Sequence, residues 1–484
     1  MTGTAIRPGA SSAFAWSVLN TVLSRLGTLG IGIALARVLG PESFGTFAVA
    51  LVALMAVLSF NELGVSLAIV RWPDDPARIV PTVNTISVAS SALFCIAAIV
   101  AAPVFTTAVG DPDATDVIRV LIISVFINGI VASPAALLQR EFQEKKRLGI
   151  DQANVWVGAV LSLALTLAGM GAMALAVGRV AGSLISGAMF LKASPLPYRF
   201  GLDRALIGPL LRFGLPLAGT SIIFFAVAYA DQLTVGAVLG ASVLGFYAVA
   251  FNLSSWPVSI LAQPLRRVAP ASFSALQHNR TEMNAVLLSI WTLVASASFP
   301  AVSFLAGSAA PLVAFIYGQE WLPAAAVLSW LALALICKVF CDLAYDFLVV
   351  LGKSGTVLMI QLKSLMVLIP MLVTASTWFG LAGVAATQTV IAGFVVLPLY
   401  LWQLHGNGVK VSVLMRTLLP AFAVSATNGL FAWAAASFIP DSFHALIASG
   451  TVTVLVTLTL LAGQARHFRL IRNVGRTTPE EVSA

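Results

Sequence analysis

Apolar runs of about twenty residues or more recur along the whole chain, and this constrains its fold more than any other feature. A helix needs ~20 apolar residues to cross a bilayer core of ~30 Å. It also satisfies its own backbone hydrogen bonds in lipid. The short alternating segments of a spanning β-barrel do not occur. Charge clusters and Gly/Pro punctuation place fourteen spans at 13–38, 43–67, 81–106, 117–138, 151–170, 172–191, 210–239, 242–263, 285–308, 323–351, 356–377, 380–402, 414–438 and 443–463. The fifth and sixth are divided only by Gly169-Met170-Gly171. With 59% hydrophobic and 10% charged residues, the chain cannot give a water-soluble fold a solvated surface, which takes roughly 25% charged residues. The expected fold is an all-α polytopic membrane protein.

The net charge of +8 would suggest nucleic acid in a soluble protein. Here the basic residues follow membrane topology instead. With the N-terminus cytoplasmic, 21 of the 27 Lys and Arg fall in inside segments, and only Arg37 and Arg119 fall outside. A wrong span count would scramble that alternation. Both termini are therefore expected on the cytoplasmic side, and the first apolar run is too long for a signal-peptide core. The longest outer loop, 107–116, is too short for a folded domain. The clusters REFQEKKR (140–147) and the basic tail are topology anchors that meet anionic lipid. Cys95, Cys337 and Cys341 all lie in apolar runs and supply no disulfide framework.

A shift of 200 residues aligns VLGPESFGTFAVA (38–50) with VLGASVLGFYAVA (238–250), seven of thirteen positions being identical. Both copies make the turn between one span and the next. A weaker echo pairs GAMALAVG (171–178) with FGLAGVA (379–385). Six spans separate equivalent points, so the copies run the same way through the membrane. Two parallel six-helix lobes would be related by an axis along the membrane normal, as in alternating-access transporters. The expected organisation is an N-terminal lobe over 1–200, a C-terminal lobe over 201–405, two appended helices over 406–463 and a basic cytoplasmic tail over 464–484.

Four basic residues fall within spans: Arg25, Arg179, Lys338 and Lys363. Intramembrane charge is costly and marks a pathway or a buried pair. Arg25, with Asn20 and Ser24 nearby, is a candidate ligand for an anionic head group, because a guanidinium suits diphosphate geometry. The competing reading is a structural ion pair, for example with Asp231. Lys338, Asp342 and Asp346 recur at spacing four on one helix face. Lys338 and Asp342 can neutralise each other, which leaves Asp346 as a candidate for coupling-ion binding. Glu62 and Asn61 lie near the inner end of the second span, and Arg179 and Lys363 near enough to span ends to snorkel.

Enzyme motifs are missing. GKS (352–354) resembles the end of a P-loop, but Phe347 stands where its upstream glycine is required. His278, His405, His444 and His467 are scattered in loops or the tail. No catalytic residue, metal site or cofactor is expected, and transport would be driven by an ion, voltage or substrate gradient.

Several ordered stretches resemble one family: LARVLGPESFGTFAVA (35–50), ELGVSLAIVR (62–71), ALLQREFQEKKRLG (136–149), LLRFGLPLAG (210–219), ADQLTVGAVLGASVLGFYAVAFNL (230–253) and IYGQEWLPAA (316–325). Together they resemble the polysaccharide-transporter branch of the multidrug/oligosaccharidyl-lipid/polysaccharide exporter superfamily, which includes the Wzx-type O-antigen and colanic-acid exporters. The resemblance implies two six-helix lobes around a central cavity, with two helices appended. It also implies flipping of a polyprenyl-diphosphate-linked oligosaccharide to the outer leaflet of a bacterial plasma membrane. It favours Arg25 as the diphosphate ligand, helped by Asn20, Asn61, Gln232 and Asn252, and leaves Asp231 and Asp346 as coupling candidates. The implied partners are the lipid-linked glycan, membrane lipids and other polysaccharide-assembly proteins. A monomer is expected, with no nucleic acid. A drug exporter of the same superfamily, a lipid II flippase and a membrane glycan polymerase or ligase are the rival readings.

Overall fold

The computed structural model describes residues 8–60, 64–73, 75–257, 269, 273, 276, 279–464 and 467, with the backbone alone for residues 8–29 other than Gly27 and for Phe60. The described secondary structure is helical. The chain packs as two compact units, 1–245 and 246–484.

The first unit holds α1 (Pro8–Phe60), α2 (Ser66–Arg71), α3 (Val80–Val109), α4 (Ala114–Arg140), α5 (Glu144–Leu167), α6 (Ala172–Ala193) and α7 (Arg204–Leu239), and α8 (Ala241–Ser254) begins in it. The second holds α9 (Arg280–Gly307), α10 (Ala309–Ile316), α11 (Pro323–Val350), α12 (Ser354–Ile391), a π-helical stretch (Ala392–Val396), α13 (Leu397–Gly406), α14 (Val411–Phe438) and α15 (Ser442–Gly463). Eleven described helices are long and apolar enough to cross a membrane. Two helical runs are continuous where the sequence predicts two spans, namely α1 and the run from Ser354 to Gly406. Each is broken by one glycine, Gly40 (φ 73°) and Gly380 (φ 61°). Helix fills the described residues of each of the fourteen predicted spans, apart from turns near some span ends. The sequence reading missed the short helices α2 and α10, which are less than half a bilayer thick.

The internal repeat is visible in the backbone. Gly40 (φ 73°, ψ 174°) and Gly240 (φ 91°, ψ 171°) adopt the same left-sided conformation, and each opens the helix that follows. The weaker echo holds too: Gly171 (φ 53°, ψ −137°) matches Gly380 (φ 61°, ψ −148°). An L-residue with a Cβ rarely enters these regions, so the repeat preserves glycine where backbone direction changes.

Within the first unit the two copies of the repeat touch. A Cβ on Gly45 would lie 2.2 Å from the Ala241 carbonyl oxygen, and one on Gly245 would lie 2.7 Å from that of Pro41. α5 and α6 approach as closely, since a Cβ on Gly178 would meet Ser162 Oγ at 2.0 Å. Without a hydrophobic drive between helices in lipid, such small-residue seams supply the packing. The α6–α7 linker is held on α3. Asn84 Nδ2 donates to the Arg199 carbonyl (2.8 Å), and Thr85 Oγ1 donates to that of Gly201 (2.7 Å). Burial there pushes the Tyr198 hydroxyl up to about 12. Arg140, in the basic cluster read as a lipid anchor, also donates to the carbonyls of Ile69 and Trp72 at 2.7 Å each, which closes the end of α2.

In the second unit α9 is the central helix. Its most apolar window is 83% buried, against 17% for α15. Trp291 and Phe299 of α9 pack on Phe340 of α11 with ring centroids 4.8 and 5.2 Å apart. The large exposed apolar residues, such as Met366, Trp378, Phe394 and Phe438, form the lipid-facing surface.

The tail contact carries a pH dependence. Beyond α15, His467 Nδ1 lies 2.9 Å from the Ser289 hydroxyl of α9. Burial lowers the His467 pKa, so the docked imidazole is neutral. With the folded value depressed, the contact is fully present above the ordinary value of ~6.5. Its contribution is lost as pH falls below that value. Amide protection near residue 464, with the intrinsic pH dependence of exchange divided out, should therefore fall between about pH 7.5 and about pH 5.5, and His467→Phe should abolish that fall. Equal protection at both pH values would refute it.

Candidate substrate site

The first unit contains a hollow of about 260 Å³, lined by Leu58, Ser59, Gly64, Ser66, Leu67, Asn128, Leu217, Ala218 and Ser221. It lies where α1 ends, α2 begins, and α4 and α7 pass. Gly64 (φ 68°) makes the turn into α2, and a Cβ there would meet the Gly214 carbonyl oxygen at 3.0 Å. Neither a left-sided backbone nor that approach suits another residue.

Asn128 is the polar centre of the hollow. It stands near the middle of α4, about 21 Å from Ala114 at 1.5 Å per residue. The lipid-facing stripe of α4 runs through Arg119, Ile123 and Phe126, all exposed. At about 100° per residue, Asn128 points some 140–180° away from that stripe. Its neighbours on the same face, Leu121, Ser124 and Ala132, are buried, yet Asn128 is exposed. The helix has a local gap there, on its bundle side.

Two of the lining hydroxyls, those of Ser59 and Ser221, are already committed as donors. Ser59 Oγ donates to the Met55 carbonyl (2.8 Å) and Ser221 Oγ to that of Leu217 (3.1 Å). Each hydroxyl therefore shows its lone pairs to the hollow. Asn128 makes no hydrogen bond to a described residue, so its amide offers two donors and an acceptor. None of the described lining residues is ionisable.

The structure places the residues singled out from sequence as follows. Arg25 and Asn20 lie on α1 with side chains outside the description, and Asn61 lies outside the described residues altogether. Asp231 and Gln232 are buried next to each other on α7, where Asp231 Oδ1 accepts the Gln232 backbone N–H at 2.8 Å. Asn252 is exposed on α8. Lys338 is exposed on α11, one turn from the half-buried Asp342 and two from the half-buried Asp346. Asp342 is electrostatically coupled to Tyr400 of α13, whose hydroxyl accepts from Gln361 Nε2 at 3.4 Å. Asp231 and Gln232 thus belong to the first unit, and the Lys338 group to the second.

Two features escaped the sequence reading. Asn128 is one amide inside an apolar run, and only the wheel arithmetic against Ile123 and Phe126 could have singled it out. From its place in the sequence alone, Arg179 reads as a snorkelling residue. Leu184, Ala188 and Leu191 form the exposed stripe of α6, and Arg179 lies about 140° from Leu184. It is nevertheless exposed, forms no ion pair with a described residue, and couples electrostatically to Tyr229 of α7.

Comparison with known proteins places this architecture. A family described as "Polysaccharide biosynthesis protein" matches residues 34–326, more than half of the chain. The succinoglycan biosynthesis transport protein of Rhizobium meliloti is 27% identical over 65% of this chain and 64% of its own. A lipopolysaccharide biosynthesis protein of Escherichia coli is 24% identical over 65% of each chain. The match thus spans a little under two thirds of each relative's length. Among solved structures, the lipid II flippase MurJ in an inward closed conformation has a TM-score of 0.77 at 14% identity, covering 94% of this chain and 99% of that one. An inward-facing multidrug resistance MATE family transporter of the MOP superfamily has a TM-score of 0.64 at 17% identity, covering 81% and 96%. At these identities the likeness establishes the fold. The fold is shared with those two structures, on a multi-pass membrane chain, and by the match over residues 34–326 the chain belongs to the polysaccharide biosynthesis protein family.

Proposed function

We propose that this chain is a transporter, not an enzyme, and that it moves a lipid-linked oligosaccharide from the cytoplasmic to the outer leaflet of a bacterial plasma membrane. The observation that carries this reading is the family match, joined to a transporter fold whose first unit holds a polar hollow with no ionisable group among its described lining residues. A polyprenyl tail stays in lipid while the polar head needs such a sheltered path. Arg25 binds the diphosphate, with Asn20, Asn61, Gln232 and Asn252 as supporting donors. Arg179 adds a second cation, which relieves the difficulty of holding two phosphates with one guanidinium. Asp231 and Asp346 are the coupling-ion candidates, and the protein works as a monomer with both termini cytoplasmic.

Sidedness of the glycan tests the reading. In a host depleted of the protein and lacking a redundant flippase, lipid-linked repeat units should accumulate on the cytoplasmic leaflet. Wild type should clear them, and Arg25→Ala should clear them at least tenfold more slowly, the loss of about 1.4 kcal/mol or more expected for a charge-assisted contact. Equal rescue by both would return Arg25 to an ion-pair role. No accumulation at all would refute the flippase reading and favour a small-molecule exporter.

A further inference from the structure

We infer that the hollow between Ser59, Asn128 and Ser221 is a binding site for an uncharged sugar unit, separate from any site for the diphosphate. The inference rests on the proposed transport of a lipid-linked glycan and names the part of the substrate this hollow takes.

Hydrogen-bond polarity argues for a sugar. Ser59 and Ser221 spend their protons on the Met55 and Leu217 carbonyls, so both present acceptors inward. Two acceptor oxygens repel a phosphate and welcome a hydroxyl that donates, and no described lining residue is a cation. Asn128 completes the set, because its amide can give and take a hydrogen bond with vicinal sugar hydroxyls at once. The free hydroxyls of a pyranose supply the matching donors and acceptors, whereas a hydrophobic drug would leave the Asn128 amide unsatisfied.

Size argues in the same direction. At about 260 Å³ the hollow is smaller than the ~300–1,000 Å³ of pockets for drug-sized ligands. It has room for one sugar ring, not for a whole repeat unit. The apolar walls, Leu58, Leu67, Leu217 and Ala218, suit the C–H face of a pyranose. Position agrees too. A mid-span amide that faces away from lipid is expensive to leave empty-handed, and Asn128 has no hydrogen-bond partner among the described residues.

Purified protein in lipid nanodiscs would test this with two probes: polyprenyl diphosphate carrying the host's repeat unit, and bare polyprenyl diphosphate. Asn128→Leu should weaken binding of the glycan-bearing lipid about tenfold and leave the bare lipid unchanged. Ser221→Ala removes one acceptor without changing helix packing, and should weaken only the glycan-bearing lipid, about threefold. Ser221→Ala decides the matter alone if Asn128→Leu fails to fold. Variants that bind both probes like wild type, or that lose both equally, overturn the sugar site while leaving the transport reading intact. A wild-type protein that binds neither probe overturns the transport reading itself, and the sugar site with it.

Discussion

Gly45→Ala is expected to destabilise the protein by about 1–3 kcal/mol or more, the range for overpacking a close contact. The added carbon would sit 2.2 Å from the Ala241 carbonyl oxygen and 2.7 Å from its carbonyl carbon. Both are backbone atoms, so no side chain can rotate away to relieve the clash. The helix after Gly40 and the turn after Gly240 would have to separate, and dispersion contacts along the seam would be lost with them. Gly30→Ala is the control. It lies on the same α1, and a Cβ there meets nothing within 4 Å. Thermal unfolding in detergent should show a lowered midpoint for Gly45→Ala and an unchanged one for Gly30→Ala. Coincident melting of Gly45→Ala and wild type would mean that the two copies of the repeat do not pack through this glycine.

The second large effect is expected at Asn428, in the pair of helices that follows the repeat. Asn428 of α14 is buried, and its Nδ2 donates to the Pro300 carbonyl of α9 at 3.1 Å. It also exchanges hydrogen bonds with Thr453 of α15, at 3.1 and 3.2 Å. One amide thus ties three helices together. Interhelical hydrogen bonds in membranes average ~0.6 kcal/mol and reach ~1.7. Asn428→Leu removes several at once and leaves the Thr453 hydroxyl facing an apolar side chain, so a loss of about 2 kcal/mol is expected. Reversible unfolding in mixed micelles would measure it. Thr453→Val, which breaks only the α14–α15 link, should cost less than half as much. Equal losses would place the energy in that link and not in the attachment to α9.

The glycine seams and the amide knot show why part of this fold could be read from sequence and part could not. Span positions follow from transfer energetics that act residue by residue, so each apolar run declares itself whatever its neighbours are. The repeat was legible for a related reason: Gly40 and Gly240 need left-sided backbones, and such positions tolerate few other residues. The helices α2 and α10 stayed hidden because six to eight residues carry too little apolar area to stand out from the spans beside them.

The candidate site divides along the same line. Charges inside spans are conspicuous, and Arg25, Asp231, Lys338, Asp342 and Asp346 could be picked out by position alone. Direction is another matter. Arg179 read as a snorkelling residue until the exposed face of α6 showed that it points away from the lipid stripe. Arg140 read as a lipid anchor, and the structure adds its grip on the end of α2.

By itself, then, the sequence determined the membrane class, the number of spans, the repeat and the family resemblance, because all four rest on local composition and spacing. Only the tertiary structure decided which polar side chains share a hollow. Ser59, Asn128 and Ser221 lie on three helices far apart in the chain, and nothing local distinguishes them from the many serines that bond back to their own helix. What sets them apart is the gap between the helices, and a gap is a property of packing.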